Sequence, residues 1–110
     1  MSLDDFMVNH IEVERRNRIR LSLAAYAYEF ENTSIMSDAD FDKLALQINP
    51  ELTTIEEYQL PEQKDRYKVL DKFFQNEFQP DTGQWIHKHP ELDKLANLYN
   101  KLWRKKNVLS

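Results

Sequence analysis

Three aspartates, Asp38, Asp40 and Asp42, fall within five residues of the stretch SIMSDADFDKLALQI, Ser34 to Ile48. Carboxylates at this spacing can do two kinds of work. They can charge and cap the start of a helix, where free amides and the helix dipole favour anions. They can also hold a cationic ligand, because residues one helical turn apart share a side, which pairs Asp38 with Asp42. Ser37 stands three residues before Asp40, the spacing of a capping box, and this assigns Asp40 to the structural role. An EF-hand-type ion loop is excluded, since it needs a glycine at its sharp turn and a distal glutamate.

Other residue types that ligate or react are sparse. His87 and His89 stand near Asp81, but two histidines at i, i+2 on extended backbone point to opposite faces, and there is no cysteine to join them. No metal site is therefore expected. No serine has a recognisable base beside it, so no catalytic residue is expected either. Phe73, Phe74, Phe78, Trp85 and Trp103 could line a groove, but aromatics at helical spacing belong first to a core.

The elements that would position these groups follow from composition and periodicity. The chain of 110 residues is 41% hydrophobic, with one glycine and four prolines. That suits a single all-α domain of four to five helices better than a sheet with many tight turns. Ser2, with Asp5, is expected to cap a first helix whose face continues through Phe6, His10 and Val13. Glu12 to Arg18 reads as a solvated charged face. Leu21, Ala24, Ala25 and Tyr28 carry the helical spacing on to about Phe30. A second helix starts at Ser37 and buries Phe41, Leu44, Ala45 and Ile48, ending at Asn49-Pro50. Glu51 to Leu60 is a connector with at most a short helical turn. Pro61 opens a third helix with Tyr67, Leu70, Phe74 and Phe78 inward. Gly83 is expected to supply a positive φ in the turn Pro80-Asp81-Thr82-Gly83. Trp85-Ile86 is an apolar anchor, and Pro90 opens a last helix with Leu92, Leu95, Leu98 or Tyr99, and Leu102 in register. The expected division is a helical hairpin over 1–49 and two further helices over 61–106, joined by a turn at 79–89.

Residues Tyr26-Ala27-Tyr28, a short linker, and Ser37-Asp38-Ala39-Asp40-Phe41-Asp42-Lys43-Leu44 resemble the Ia domain of NAD-dependent DNA ligases. The resemblance covers Leu21 to Ile48, and residues 26 to 44 follow the family pattern without a gap. It implies a site for the nicotinamide mononucleotide half of NAD, built from Tyr28, Asp38, Phe41 and Asp42 as cofactor-binding residues. An oxidised nicotinamide ring is cationic, so an aromatic face and nearby carboxylates both attract it. Two positions depart from the family pattern: Phe41 stands where the family has tyrosine, and Glu29 where some members have histidine. The K-x-D-G nucleotidyl-transfer motif is absent from the sequence, which leaves no lysine for a covalent adenylate. The protein is therefore expected not to be an enzyme. Phe73 to Phe78 and Thr82 to Leu92 resemble small phage proteins described as ligase-related.

The bulk charge narrows the partners. At a net charge of −4 the chain has no global attraction to nucleic acid or anionic lipid, although Arg15, Arg16, Arg18 and Arg20 cluster locally, as do Arg104, Lys105 and Lys106. No apolar run is long enough to span a membrane and no signal-peptide core is present, so a cytoplasmic location is expected, the host cytoplasm if the chain is phage-encoded. The leading expectation is a small phage-type interaction protein that binds and modulates a host enzyme or defence protein. The alternatives are a module that binds NAD or nicotinamide mononucleotide, and a detached accessory to a separate nucleotidyl-transfer chain. A homodimer through Leu92, Leu95, Leu102 and Trp103 is a further candidate partnership.

Overall fold

In the computed structural model, which describes residues 9–104, the first helix α1 spans His10–Glu31. Asn9 caps it, its side-chain oxygen accepting from the Ile11 amide at 2.9 Å. The expected Ser2 cap and Phe6 lie outside the described residues. His10 is exposed and Val13 largely so, which leaves the first two turns without the inward face predicted for them. The helix ends on Asn32, the one non-glycine residue at positive φ (53°) among the described residues, and the amides of Asn32 and Thr33 both donate to the Ala27 carbonyl.

Helix α2 follows at Asp38–Gln47, with Ser37 as its N-cap, and α3 spans Pro61–Glu77. Pro61 occupies the first helical position of α3, and Gln63 reaches back to accept from the Leu60 amide at 2.9 Å. A short 3-10 helix spans Gln84–Lys88, and α4 spans Leu92–Tyr99, extended by a wider π turn over Asn100–Arg104. Helix α4 starts at Leu92 rather than Pro90, which lies in the preceding turn. The architecture is all-α, with no strand among the described residues.

The core is built around α1. Residues 21 to 27 are buried without interruption, as expected of a helix segment enclosed on all sides. Helix α1 packs against α2, α4 and the 3-10 helix. Leu44, Ala45 and Ile48 close one side, and Phe73, Phe74, Trp85 and Ile86 another. Phe74 meets Trp85 at a ring separation of 5.6 Å, and Phe78 meets it at 5.2 Å, so the predicted α3 stripe and the Trp85-Ile86 anchor form one aromatic cluster. The α4 band is divided: Leu95 and Tyr99 are core, Leu92, Leu98 and Trp103 pack partly against it, and Leu102 is exposed.

The stretch Glu12 to Arg18 is solvated only in part: Glu12 and Arg16 are exposed, whereas Glu14 and Arg18 turn inward. Glu14 and Arg18 are each only 5% exposed. Arg18 Nε donates to Glu14 at 2.7 Å and Nη1 to Asp71 of α3 at 2.9 Å. Its Nη2 donates to the carbonyls of Asn49 and Leu52 at 2.8 and 3.0 Å, and the guanidinium lies 4.8 Å from the Phe74 ring centre. Glu14 in turn accepts from the Asn49 amide, and Asp71 accepts from the Thr54 amide and hydroxyl and from the Thr53 hydroxyl. Nearby, Arg15 pairs with Glu56 and donates to the Thr54 carbonyl at 2.9 Å. The Asn49–Leu60 connector contains no helix, and these side chains satisfy its backbone at Asn49, Leu52 and Thr54 instead.

A buried charge left without its partner is costly, so Asp71→Ala should lower stability by about 3–5 kcal/mol. Arg16→Ala, which removes an exposed pair with Glu12, should cost no more than about 1 kcal/mol. Chemical denaturation of the two variants checks the contrast, and equal small losses would contradict it.

Candidate functional site

Helix α1 delivers Tyr28 in its last turn, and α2 delivers Asp38, Phe41 and Asp42 from its first turns. Thr33 to Ser37 turn the chain between them. All four side chains line one cleft of about 430 Å³, within the roughly 300–1,000 Å³ usual for small-molecule sites. The expected set is therefore brought together. Tyr28 is 62% exposed, so its ring face is available, while Phe41 is half-buried.

Two carboxylates join the cleft that local spacing did not assign to it. Glu29 comes with Tyr28 on α1, and Asp81 comes from the turn before the 3-10 helix. The same turn brings Thr82, Gly83 and Gln84 to the wall. Gly83 sits at φ −101°, an ordinary value, so the expected positive φ belongs to Asn32 instead. The position does not require glycine: a β-carbon there would stand 3.6 Å from both Ala25 and the Phe41 ring, in ordinary contact. Glu29, Asp38, Asp42 and Asp81 make the cleft acidic, and no Lys, Arg or His is among the residues that line it. Asp40 is not in the cleft. Its amide donates to the Ser37 hydroxyl at 3.1 Å, the forward half of the predicted capping box, and no bond returns from its carboxylate to the Ser37 amide.

The two histidines separate, although the backbone there is not extended as expected: His87 lies in the 3-10 helix and His89 caps its end. His87 Nε2 lies 2.8 Å from Glu29 and its ring meets Phe30 at 4.7 Å, tilted by 50°, which ties the 3-10 helix to the end of α1. His89 is buried, with its ring 4.9 Å from Phe73, and its Nδ1 accepts from the Glu91 amide at 3.0 Å. Burial pushes His89 down from 6.5 to about 4, against the opposing pull of Glu91. Among the described residues no group of three or more His, Asp or Glu is arranged to hold a metal ion. The arginine cluster also disperses: Arg15 and Arg18 turn inward, and Arg16 and Arg20 remain exposed.

No protein-family model matches the chain, and no curated protein or solved structure is significantly similar to it.

Two outcomes are expected. Ser37→Ala should cost about 0.5–2 kcal/mol, the usual scale of a lost N-cap, and Asp40→Ala less, since its carboxylate makes no capping bond. Thermal denaturation of both checks the order. The unfolded chain takes up a proton at His89 before the folded chain does. Stability from this group is therefore complete above pH 6.5 and lost as pH falls from 6.5 to about 4. The loss across that window should be about 3 kcal/mol. His89→Gln should lack this component, measured as the difference between the two proteins' stability–pH curves.

Proposed function

We propose that the α1–α2 cleft binds the cationic ring of an oxidised nicotinamide, as a module for nicotinamide-bearing nucleotides rather than as a catalyst. One observation carries this reading: Tyr28, Asp38, Phe41 and Asp42 line a common cleft whose other charged members, Glu29 and Asp81, are also acidic. An exposed aromatic face offers a cation about 0.5–1 kcal/mol. A carboxylate about 4 Å away in water adds about 1 kcal/mol. Such terms support affinity on the millimolar scale, weakened by salt.

The acidic lining also sets which part of the ligand enters. The carboxylates repel a phosphate, and His87, the basic group beside Glu29, is engaged with that carboxylate, so the phosphoryl end remains outside. The module therefore grips the nicotinamide end and leaves the rest of NAD to solvent or to a second chain. That arrangement suits an accessory to a separate nucleotidyl-transfer protein, which would supply the basic wall.

A second reading, a docking protein for a host enzyme or defence protein, draws on a different observation. Leu46, Tyr58 and Leu60 are 78%, 73% and 62% exposed, more than packing within this chain requires. Self-association through Leu92, Leu95, Leu102 and Trp103 has less to draw on, because Leu95 is spent on the core.

Titration of the protein with nicotinamide riboside and with nicotinamide mononucleotide, followed by amide chemical shifts, separates these readings. The riboside should bind at least as tightly as the mononucleotide, with shifts at Tyr28, Asp38 and Asp42. Tyr28→Ala should weaken it about 2–5-fold, the worth of one exposed ring face. Silence at millimolar ligand would leave the docking reading in its place.

A further inference from the structure

Helix α3 packs closely on the 3-10 helix but stands off from α1 and α4. Long side chains make the links across that gap. Arg18 reaches Asp71 at 2.9 Å, and the Arg15 guanidinium lies 4.9 Å from the centre of the Tyr67 ring. Arg66 holds Glu91, just before α4, through bonds of 2.6 and 2.8 Å. Such arms bridge a gap without filling it, and a cavity of about 140 Å³ remains between the three helices.

Its body is apolar. Phe74 and Leu95 reach it from the core, Tyr67, Leu70 and Leu98 line it half-buried, and Ile19 is 47% exposed. Ile19, Arg66 and Lys94 are the exposed members, so the cavity opens to solvent on their side. The fold thus leaves apolar surface uncovered in a concave site. Its volume is close to the roughly 150 Å³ of an apolar cavity that admits benzene.

The charges at the cavity cancel. Arg15 pairs with Glu56, Arg18 with Glu14 and Asp71, and both Arg66 and Lys94 with Glu91. Four cations are thereby matched by four carboxylates. The unpartnered Ser22 hydroxyl and Arg15 Nε are fully buried, so neither is open to a ligand. A charged ligand would therefore give up water here without gaining an ionic partner. A neutral apolar one has little water to give up and covers the half-buried side chains.

We infer that this cavity binds a small neutral apolar molecule the size of a benzene ring, held by contact with Tyr67, Leu70, Phe74 and Leu98 rather than by hydrogen bonds or charge. It shares no lining residue with the nicotinamide cleft and does not depend on it.

Toluene, benzoate and benzylammonium share a ring and differ in charge, and each can be titrated against the full chain at neutral pH by amide chemical shifts. Toluene should shift Ile19, Leu70 and Leu98, and should bind at least about threefold more tightly than either ion. Leu98→Phe enlarges a half-buried side chain into the cavity and should weaken toluene by about threefold or more. Leu70→Phe makes the same change from α3, should the first variant fail to fold. Four results would each overturn the inference: no shift in toluene-saturated buffer, either ion binding as tightly as toluene, shifts confined to the Tyr28–Asp42 cleft, or undiminished toluene binding in a folded Phe variant.

Discussion

The Arg18 guanidinium is the contact on which the other elements depend. Four acceptors from three separate segments converge on it: Glu14 on its own helix, Asp71 on α3, and the carbonyls of Asn49 and Leu52 where the chain leaves α2. Desolvating one cation and two carboxylates is expensive, and the cost is offset only because nearly every lone pair and proton finds a partner. The arrangement specifies geometry as much as it stabilises. Both backbone groups of Asn49 are held by α1, the amide by Glu14 and the carbonyl by Arg18. The exit of α2 is thereby pinned to α1, and the direction of α2 follows. At its other end, that same direction brings Asp38, Phe41 and Asp42 up to Tyr28.

Much of the fold was legible because it rests on local periodicity. The stripe Leu44, Ala45 and Ile48 and the aromatics of α3 sit where helical spacing predicts, and Ser37 caps where its neighbours predict. The charged run from Glu12 to Arg18 was read outward, because a charged side chain is buried only when its partners are close. Asp71 lies 53 residues from Arg18, and nothing local announces the pair. Gly83 was the natural candidate for positive φ, yet the requirement arose at the end of α1, where Asn32 meets it. Residue type indicates what a position tolerates, whereas the geometry of the neighbouring elements decides what it needs.

The cleft was legible in part for the same reason. Tyr28 and the Asp38–Asp42 group lie on consecutive helices joined by a short turn, and a hairpin brings such ends together. Asp81 and the Glu29–His87 contact come from across the chain. They convert a pair of carboxylates into an acidic enclosure. Helix α1 also reaches a separate cavity of about 140 Å³ with Arg15, Arg18, Ile19 and Ser22, while Ala24 to Glu29 line the cleft.

In the proposed complex Tyr28 and Phe41 face a cationic ring between carboxylates. Intermolecular nuclear Overhauser effects test it most directly, measured on the wild-type protein with nicotinamide riboside. Contacts from the nicotinamide ring protons to the rings of both Tyr28 and Phe41, stronger than any from the ribose, are the expected result. Contacts from the ribose alone, or from the nicotinamide ring to residues outside the cleft, would contradict it.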